Sequence, residues 1–289
     1  MTRALAAAAL LMIAVAGCAF AQENDPVARG AYLVAAAGCA TCHTDKKNGG
    51  PPFAGGAALT TPFGVFYGKN ITPAPRFGIG TWTEAQFHRA LRDGIDDDDH
   101  YMYPVFPFTS YTGMTDQDIS DIYAFLKTQK PVPQRAKRHD IKFPFEYRPL
   151  LFFWRTLFFT PGPLDPVAGK DAQWNRGRYL VEAVAHCEEC HTPRNFLGAL
   201  ERDHAFAGNP DGPDGQKAPN ITPDPETGIG KWSIADIVGV LKDGITPDGD
   251  SVGSGMADVV EGTGKLTDAD LQAIATYIKS VPPLRATGK

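Results

Sequence analysis

Cys39-Ala40-Thr41-Cys42-His43 and Cys187-Glu188-Glu189-Cys190-His191 are one five-residue pattern, C-x-x-C-H, met twice in a single chain and each time followed by threonine. The surroundings of the two match as well. Arg29-Gly30-Ala31-Tyr32-Leu33-Val34 stands before the first and Arg176-Gly177-Arg178-Tyr179-Leu180-Val181 before the second. Downstream, Phe53-Ala54-Gly55 returns as Phe206-Ala207-Gly208, and Asn70-Ile71-Thr72-Pro73 as Asn220-Ile221-Thr222-Pro223. Gly78-Ile79-Gly80-Thr81-Trp82 returns as Gly228-Ile229-Gly230-Lys231-Trp232, and Leu91-Arg92-Asp93-Gly94-Ile95 as Leu241-Lys242-Asp243-Gly244-Ile245. The offset is 147 residues at the first arginines and 152 at Thr115 and Thr267, as a tandem duplication with small changes in its loops would give. Each copy is a unit of about 110 residues, too long a period for a solenoid.

Composition sets the outer limits. The chain has 289 residues, 43% hydrophobic and 21% charged, with a formal net charge of −5. That balance excludes wholesale disorder and a multi-span membrane protein. A pI near 5.8 argues against a nucleic-acid binder, which would show a basic domain. Thr2-Arg3 opens a basic n-region, Ala4 to Ala16 is apolar throughout, and Ala19-Phe20-Ala21 fits a small-x-small cleavage site. Residues 1–21 therefore read as a signal peptide, with the mature chain starting at Gln22. Two alternatives stand beside this. Val15-Ala16-Gly17-Cys18 resembles a lipobox that would leave Cys18 lipidated, and the uncharged run from Ala4 is about long enough to stay as an anchor. All three place the body of the protein outside the cytoplasm, so a periplasmic location is expected.

Local signals predict short helices joined by long Gly- and Pro-rich loops, with no sustained period-two alternation. Thr83 followed by Glu84 caps a helix that ends at Gly94. Thr115 with Asp118 resembles a capping box, and Ile119, Ile122, Tyr123 and Leu126 follow at helical spacing until Pro131. The second copy repeats this from Thr267 through Leu271, Ile274, Tyr277 and Ile278 to Pro282-Pro283. So small an apolar set needs a large bound group to complete its core. Residues 131–171 belong to neither copy. This connector is Pro-rich and basic, with seven Lys and Arg against four Asp and Glu, and it holds the apolar run Leu150 to Phe159. Ten residues with an arginine cannot span a bilayer. The run is expected to pack into a groove between the copies; a docking patch for a partner or a membrane surface is the alternative.

The chemistry of the repeated pattern is specific. Two thiols three residues apart on a helical turn can each bond one vinyl group of the same haem, and the adjacent histidine then lies beneath the iron. C-x-x-C also serves disulfide exchange and zinc. A thioredoxin-like chain would show a βαβ pattern, which is missing. A zinc site would need further ligands at repeating positions, yet His88, His100 and His139 have no counterparts in copy two, and His186 and His204 have none in copy one. Two covalently bound haem c groups are therefore expected, on Cys39, Cys42 and His43 and on Cys187, Cys190 and His191.

On these residues, the paired N-I-T-P and G-I-G-x-W stretches, Tyr103-Pro104-Val105-Phe106-Pro107-Phe108 and the connector's Leu157-Phe158-Phe159-Thr160-Pro161-Gly162-Pro163, the chain resembles dihaem c-type cytochromes. These have two class I cytochrome c domains in tandem, as in the periplasmic cytochrome subunits of alcohol, aldehyde and sugar-acid dehydrogenases. The resemblance implies an all-α fold, with domains at 22–130 and 172–289 joined by the connector. It implies electron transfer from a periplasmic dehydrogenase to an oxidase or another cytochrome, with no stand-alone catalytic constellation. It also implies a methionine thioether as the distal iron ligand, from the loop before the last helix. In copy two that residue is Met256, 11 residues before Thr267. In copy one, where relatives often carry Y-P-x-M-P-Y, the matching position is Phe106. Met102, 13 residues before Thr115, is then preferred over Met114, which aligns with Leu266. A first haem without methionine is the third option, and it keeps open an alternative function as a dihaem redox enzyme of peroxidase or thiosulfate-oxidising type. Asn70, Asn220, Trp82 and Trp232 either border the haems or serve turns and core.

Overall fold

The computed structural model describes residues 25–286. The leader, its cleavage site and Cys18 lie outside the described residues. Helix α1 (Pro26–Ala36) starts on an Asp25 side-chain cap with proline in its first turn, a combination that satisfies one orphan N–H and removes another. It leads into the motif turn α2 (Cys39–His43). Strands β1 (Ala58–Thr61) and β2 (Gly64–Tyr67), then helices α3 (Glu84–Asp93), α4 (Phe108–Tyr111) and α5 (Asp116–Lys127), complete the first half. The connector contributes β3 (Asp140–Ile141) and α6 (Leu150–Phe158). The second half runs α7 (Ala172–Tyr179), continued by a π turn at Leu180–Val184, then α8 (Glu188–His191), α9 (Ile234–Asp243), α10 (Ser254–Thr263) and α11 (Asp268–Ser280).

The first and last long helices of each half cross at a glycine. A Cβ on Gly30 would lie 1.9 Å from the Asp121 carbonyl oxygen, and one on Gly177 would lie 2.0 Å from that of Ala273. Only glycine lets the backbones come so close. The arginine beside each glycine then locks the crossing. Arg29 is bidentate to Asp121 at 2.7 and 2.9 Å, and Arg176 to Asp270 at 2.9 and 2.8 Å. This accounts for the repeated Arg-Gly pair.

The tyrosine of the same stretch does something the sequence reading did not anticipate. Complete capping boxes occur at Thr83 with Gln86 and at Ser233 with Asp236. At Thr115 and Thr267 the box is instead opened by a residue from the other half. The Thr115 N–H donates to the Tyr179 hydroxyl at 3.1 Å, and that hydroxyl donates to Asp118. Reciprocally, the Thr267 N–H donates to the Tyr32 hydroxyl at 3.2 Å, which donates to Asp270 at 2.6 Å. Each half thus caps the other's last helix. Leu33, Val34, Ile119 and Ile122 of the first half and Leu180, Val184, Leu271 and Ile274 of the second belong to one continuous buried cluster.

Two expectations need correction. The chain is mostly helical but not all-α: β1, β2 and β3 form a three-stranded antiparallel sheet in that order. Val65, Phe66 and Tyr67 favour an extended backbone, and Gly64, at φ 128°, lets the connector strand lie where a Cβ would meet the Asp140 carbonyl at 2.2 Å. The connector helix α6, for its part, is only half packed. Leu151 is buried, the Trp154 indole donates to the Leu197 carbonyl at 3.0 Å, and the Arg155 guanidinium lies over the rings of Tyr101, Phe108 and Phe159 at 4.8 to 5.2 Å. Phe152, Phe153 and Leu157 remain 52, 62 and 70% exposed. A helix apolar on all sides has more such surface than one groove can cover.

Candidate haem-attachment sites

Both motif turns are entered through a left-handed residue, Gly38 at φ 59° and His186 at φ 43°. Glycine adopts this freely; histidine does so at a cost of about 1 kcal/mol or more. His186 is held there by its Nε2 at 3.2 Å from the Ala37 carbonyl and by the edge-on ring of Tyr111 at 5.5 Å. Within the turns the two cysteines sit three residues apart, and the histidine closes the helix.

The imidazoles are fixed alike. His43 Nδ1 donates to the Lys69 carbonyl at 2.6 Å, and His191 Nδ1 to the Pro219 carbonyl at 2.8 Å. A carbonyl can only accept, so the ring proton sits on Nδ1 and Nε2 presents its lone pair. The Lys69 loop approaches so closely because Gly68 has no side chain: a Cβ there would meet the Cys42 carbonyl at 1.7 Å. A second ring of bonds surrounds each turn. Thr44 and Thr192 accept from the Phe53 and Phe206 N–H groups at 3.1 and 3.0 Å. Gly55 and Gly208 donate to the His43 and His191 carbonyls, each at 2.8 Å. Ile71 and Ile221 donate to the Phe53 and Phe206 carbonyls, each at 2.9 Å. The threonine after each motif and the Phe-Ala-Gly stretches therefore form the frame of the site. Their repetition was the only sequence signal for that role.

Electrostatics separates the possible chemistries. Burial pushes the Cys39 and Cys187 thiols up to about 12 and Cys190 to about 11, and it raises Cys42 as well. Thiols of disulfide exchange are poised the opposite way, as low-pKa thiolates. Burial lowers both His43 and His191, which leaves the neutral, coordinating imidazole at neutral pH. Among the described residues no three His, Cys, Asp or Glu side chains gather as a metal-ion site requires. Paired thiols with one oriented imidazole are instead the donor set of covalent haem.

The remaining candidates fall into place unevenly. Asn70 accepts from the Thr72 N–H at 2.9 Å and donates to the Val132 and Gln134 carbonyls at 2.8 and 2.9 Å. Asn220 accepts from the Thr222 N–H at 2.8 Å and donates to the Leu284 carbonyl at 2.7 Å. Both asparagines pin the chain that leaves the last helix of their half, so their amides are committed to turns. Trp82 and Trp232 pack against the main cluster. Met256 lies in the first turn of α10, half-buried. That helix is pressed onto the first half, with Lys46 paired to Asp258 and Glu261 at 3.4 and 2.5 Å and Gly262 against the Ala35 carbonyl. Met114 is fully buried in the main cluster, and Met102 packs at its edge.

Comparison with known proteins agrees with this geometry. The family model for cytochrome c matches residues 27–130. The chain is 44% identical over 270 residues to a "Diheme cytochrome c-type" protein of Cereibacter sphaeroides, covering 92% of this chain and 89% of that one. It is 42% identical to the fructose dehydrogenase cytochrome subunit of Gluconobacter japonicus, over 92% of this chain and 55% of that subunit. It is also 42% identical to the cytochrome c subunit of the quinone alcohol dehydrogenase of Gluconacetobacter polyoxogenes, over 93% of this chain and 60% of that subunit. The chain thus spans little more than half the length of those two dehydrogenase subunits. With its sulfur and imidazole donors framed in the same way at both motifs, this chain belongs to the cytochrome c family.

Proposed function

We propose that the chain is a dihaem electron carrier of the periplasm that receives electrons from a dehydrogenase and passes them towards an oxidase or another cytochrome. The observation that carries this reading is the pair of identical imidazole settings at His43 and His191, each beside two thiols on one turn. Cys39 and Cys42 would hold one haem c and Cys187 and Cys190 the other, with His43 and His191 as proximal ligands and Met256 as the distal ligand of the second. When bound, the haem supplies a one-electron ferric–ferrous couple. The chain's own residues orient the imidazoles and join the two sites through one shared core. Among the described residues no helix is long and apolar enough to cross a membrane.

The outer face of α6 is the surface we assign to the dehydrogenase. Phe152, Phe153 and Leu157 are exposed there beside Phe143 and Tyr147, which are 86 and 63% exposed. They adjoin a cleft of about 560 Å³ lined by Trp154, Leu157, Arg194 and His204. An apolar patch of this kind marks a contact surface, and two of the relatives named above are cytochrome subunits of dehydrogenases. Two experiments test the proposal. Intact-mass analysis of exported protein should show two added haems; bare thiols would end the reading. The holoprotein should be reduced by the catalytic subunit of an alcohol, fructose or gluconate dehydrogenase with its substrate. Leu157→Ser with Phe153→Ser should slow that reduction at least fivefold with haem content unchanged, and an unaltered rate would remove α6 from the interface.

A further inference from the structure

The counterpart of Met256 in the first half falls within a short stretch that holds no sulfur. Backbone pairing fixes the register. Ile95 bridges Tyr101 as Ile245 bridges Ser251, and the Met102 N–H donates to the Gly94 carbonyl at 2.8 Å as the Val252 N–H donates to Gly244 at 2.9 Å. Met102 is therefore the equivalent of Val252. Four residues beyond Val252 is Met256; four beyond Met102 is Phe106. The other flank gives nearly the same answer. The Met114 N–H donates to Tyr111 and the Leu266 N–H to Thr263, each at 2.9 Å, and ten residues back from these lie Pro104 and Met256. Counted from either side, the counterpart falls within Pro104-Val105-Phe106, whose side chains carry no donor atom.

The other two methionines of the first half have structural places. Met114 takes the core position of Leu266 and is fully buried. Met102 takes that of Val252 and packs at the edge of the cluster. Phe106 packs against the same cluster as Met102. Its ring lies 5.5 Å from that of Tyr111, whose hydroxyl donates at 3.4 Å to the carbonyl of Ala37, two residues before Cys39.

We infer that the first haem has no thioether ligand, and that its sixth position is a binding site for a small π-acceptor gas, left open by Phe106 where the second half has Met256. This rests on the proposed attachment of haem at both motifs and on Met256 as the second distal ligand. Soft sulfur favours the reduced iron, so the first haem also has the lower potential of the two.

Carbon monoxide titration of the dithionite-reduced holoprotein, with haem content set by intact mass, tests this. The wild type should take up one carbon monoxide per two haems. Phe106→Met should cut that uptake at least tenfold and add a second thioether-to-ferric charge-transfer band. Met102→Ala should leave uptake unchanged, and Met256→Ala should raise it to both haems. A protein with two haems that binds no carbon monoxide until Met102 or Met114 is removed overturns this inference alone. A chain without added haem mass overturns the carrier reading and this inference with it.

Discussion

In the first half two aspartates serve the last helix: Asp121 holds Arg29, and Asp118 receives Tyr179 from the other half. In the second half one carboxylate does both, because Asp270 holds Arg176 and also receives Tyr32. Ala273 stands where an equivalent of Asp121 would be. The two halves therefore share a frame but distribute its charge differently. Burial works against the charge on Asp270, yet the bonds from Arg176 and Tyr32 outweigh it and hold its carboxyl below the usual range. The lesson concerns coupling: packing of the second half and its attachment to the first depend on one group, whereas in the first half they are separable.

The largest effects should come from removing the proposed haem anchors. Cys187→Ala with Cys190→Ala should lose one of two haems by intact mass, and Cys39→Ala with Cys42→Ala the other. If the halves are equivalent, both variants should lose helical circular dichroism to the same degree. Next come the crossings. Gly30→Ala and Gly177→Ala each force a methyl into a carbonyl oxygen and should cost about 3 kcal/mol in denaturant unfolding; a smaller loss at one would show that its crossing can widen. The clamps should then differ. Arg29→Ala leaves a carboxylate that is 1% exposed with only the neutral Gln117 amide, at 3.0 Å, and should be the costlier change in denaturant unfolding, while Asp270 keeps Tyr32 and is 13% exposed, so Arg176→Ala should cost about 1 to 2 kcal/mol. Equal losses would break the asymmetry.

The smallest effect concerns the sheet, which only the first half possesses. Burial, with the charges of Lys69 and Arg148, pushes His139 down to about 4. Its neutral Nδ1 accepts from the Tyr67 N–H at 3.1 Å, and its ring packs on Phe66 and Tyr103. The folded state thus favours the neutral ring. Its contribution is intact above the unfolded value near 6.5 and falls as pH drops from there towards 4. The protection factor of the Tyr67 amide, which removes the intrinsic pH dependence of exchange, should fall across that window, and His139→Gln should flatten the fall.

Much of this was legible because it is written twice. The helices from Thr83, Thr115 and Thr267 and the stop at Gly94 follow from local rules of spacing and capping. The sheet was not legible: its strands are four, four and two residues long, too short for a period to register. Nor was the exchange of tyrosines, since a hydroxyl reaching from another part of the chain leaves no mark on the box it opens. Spacing from the last helix also set Met102 opposite Met256, whereas the backbone bonds set it opposite Val252.

The amino-acid order alone determined the two thiol–thiol–imidazole turns, because each is confined to five consecutive residues whose chemistry needs no distant partner. Tertiary packing decided which nitrogen of His43 and His191 is free and which face of α6 meets solvent. Those are relations between segments tens of residues apart, and only the folded chain brings their atoms within a few ångströms of one another.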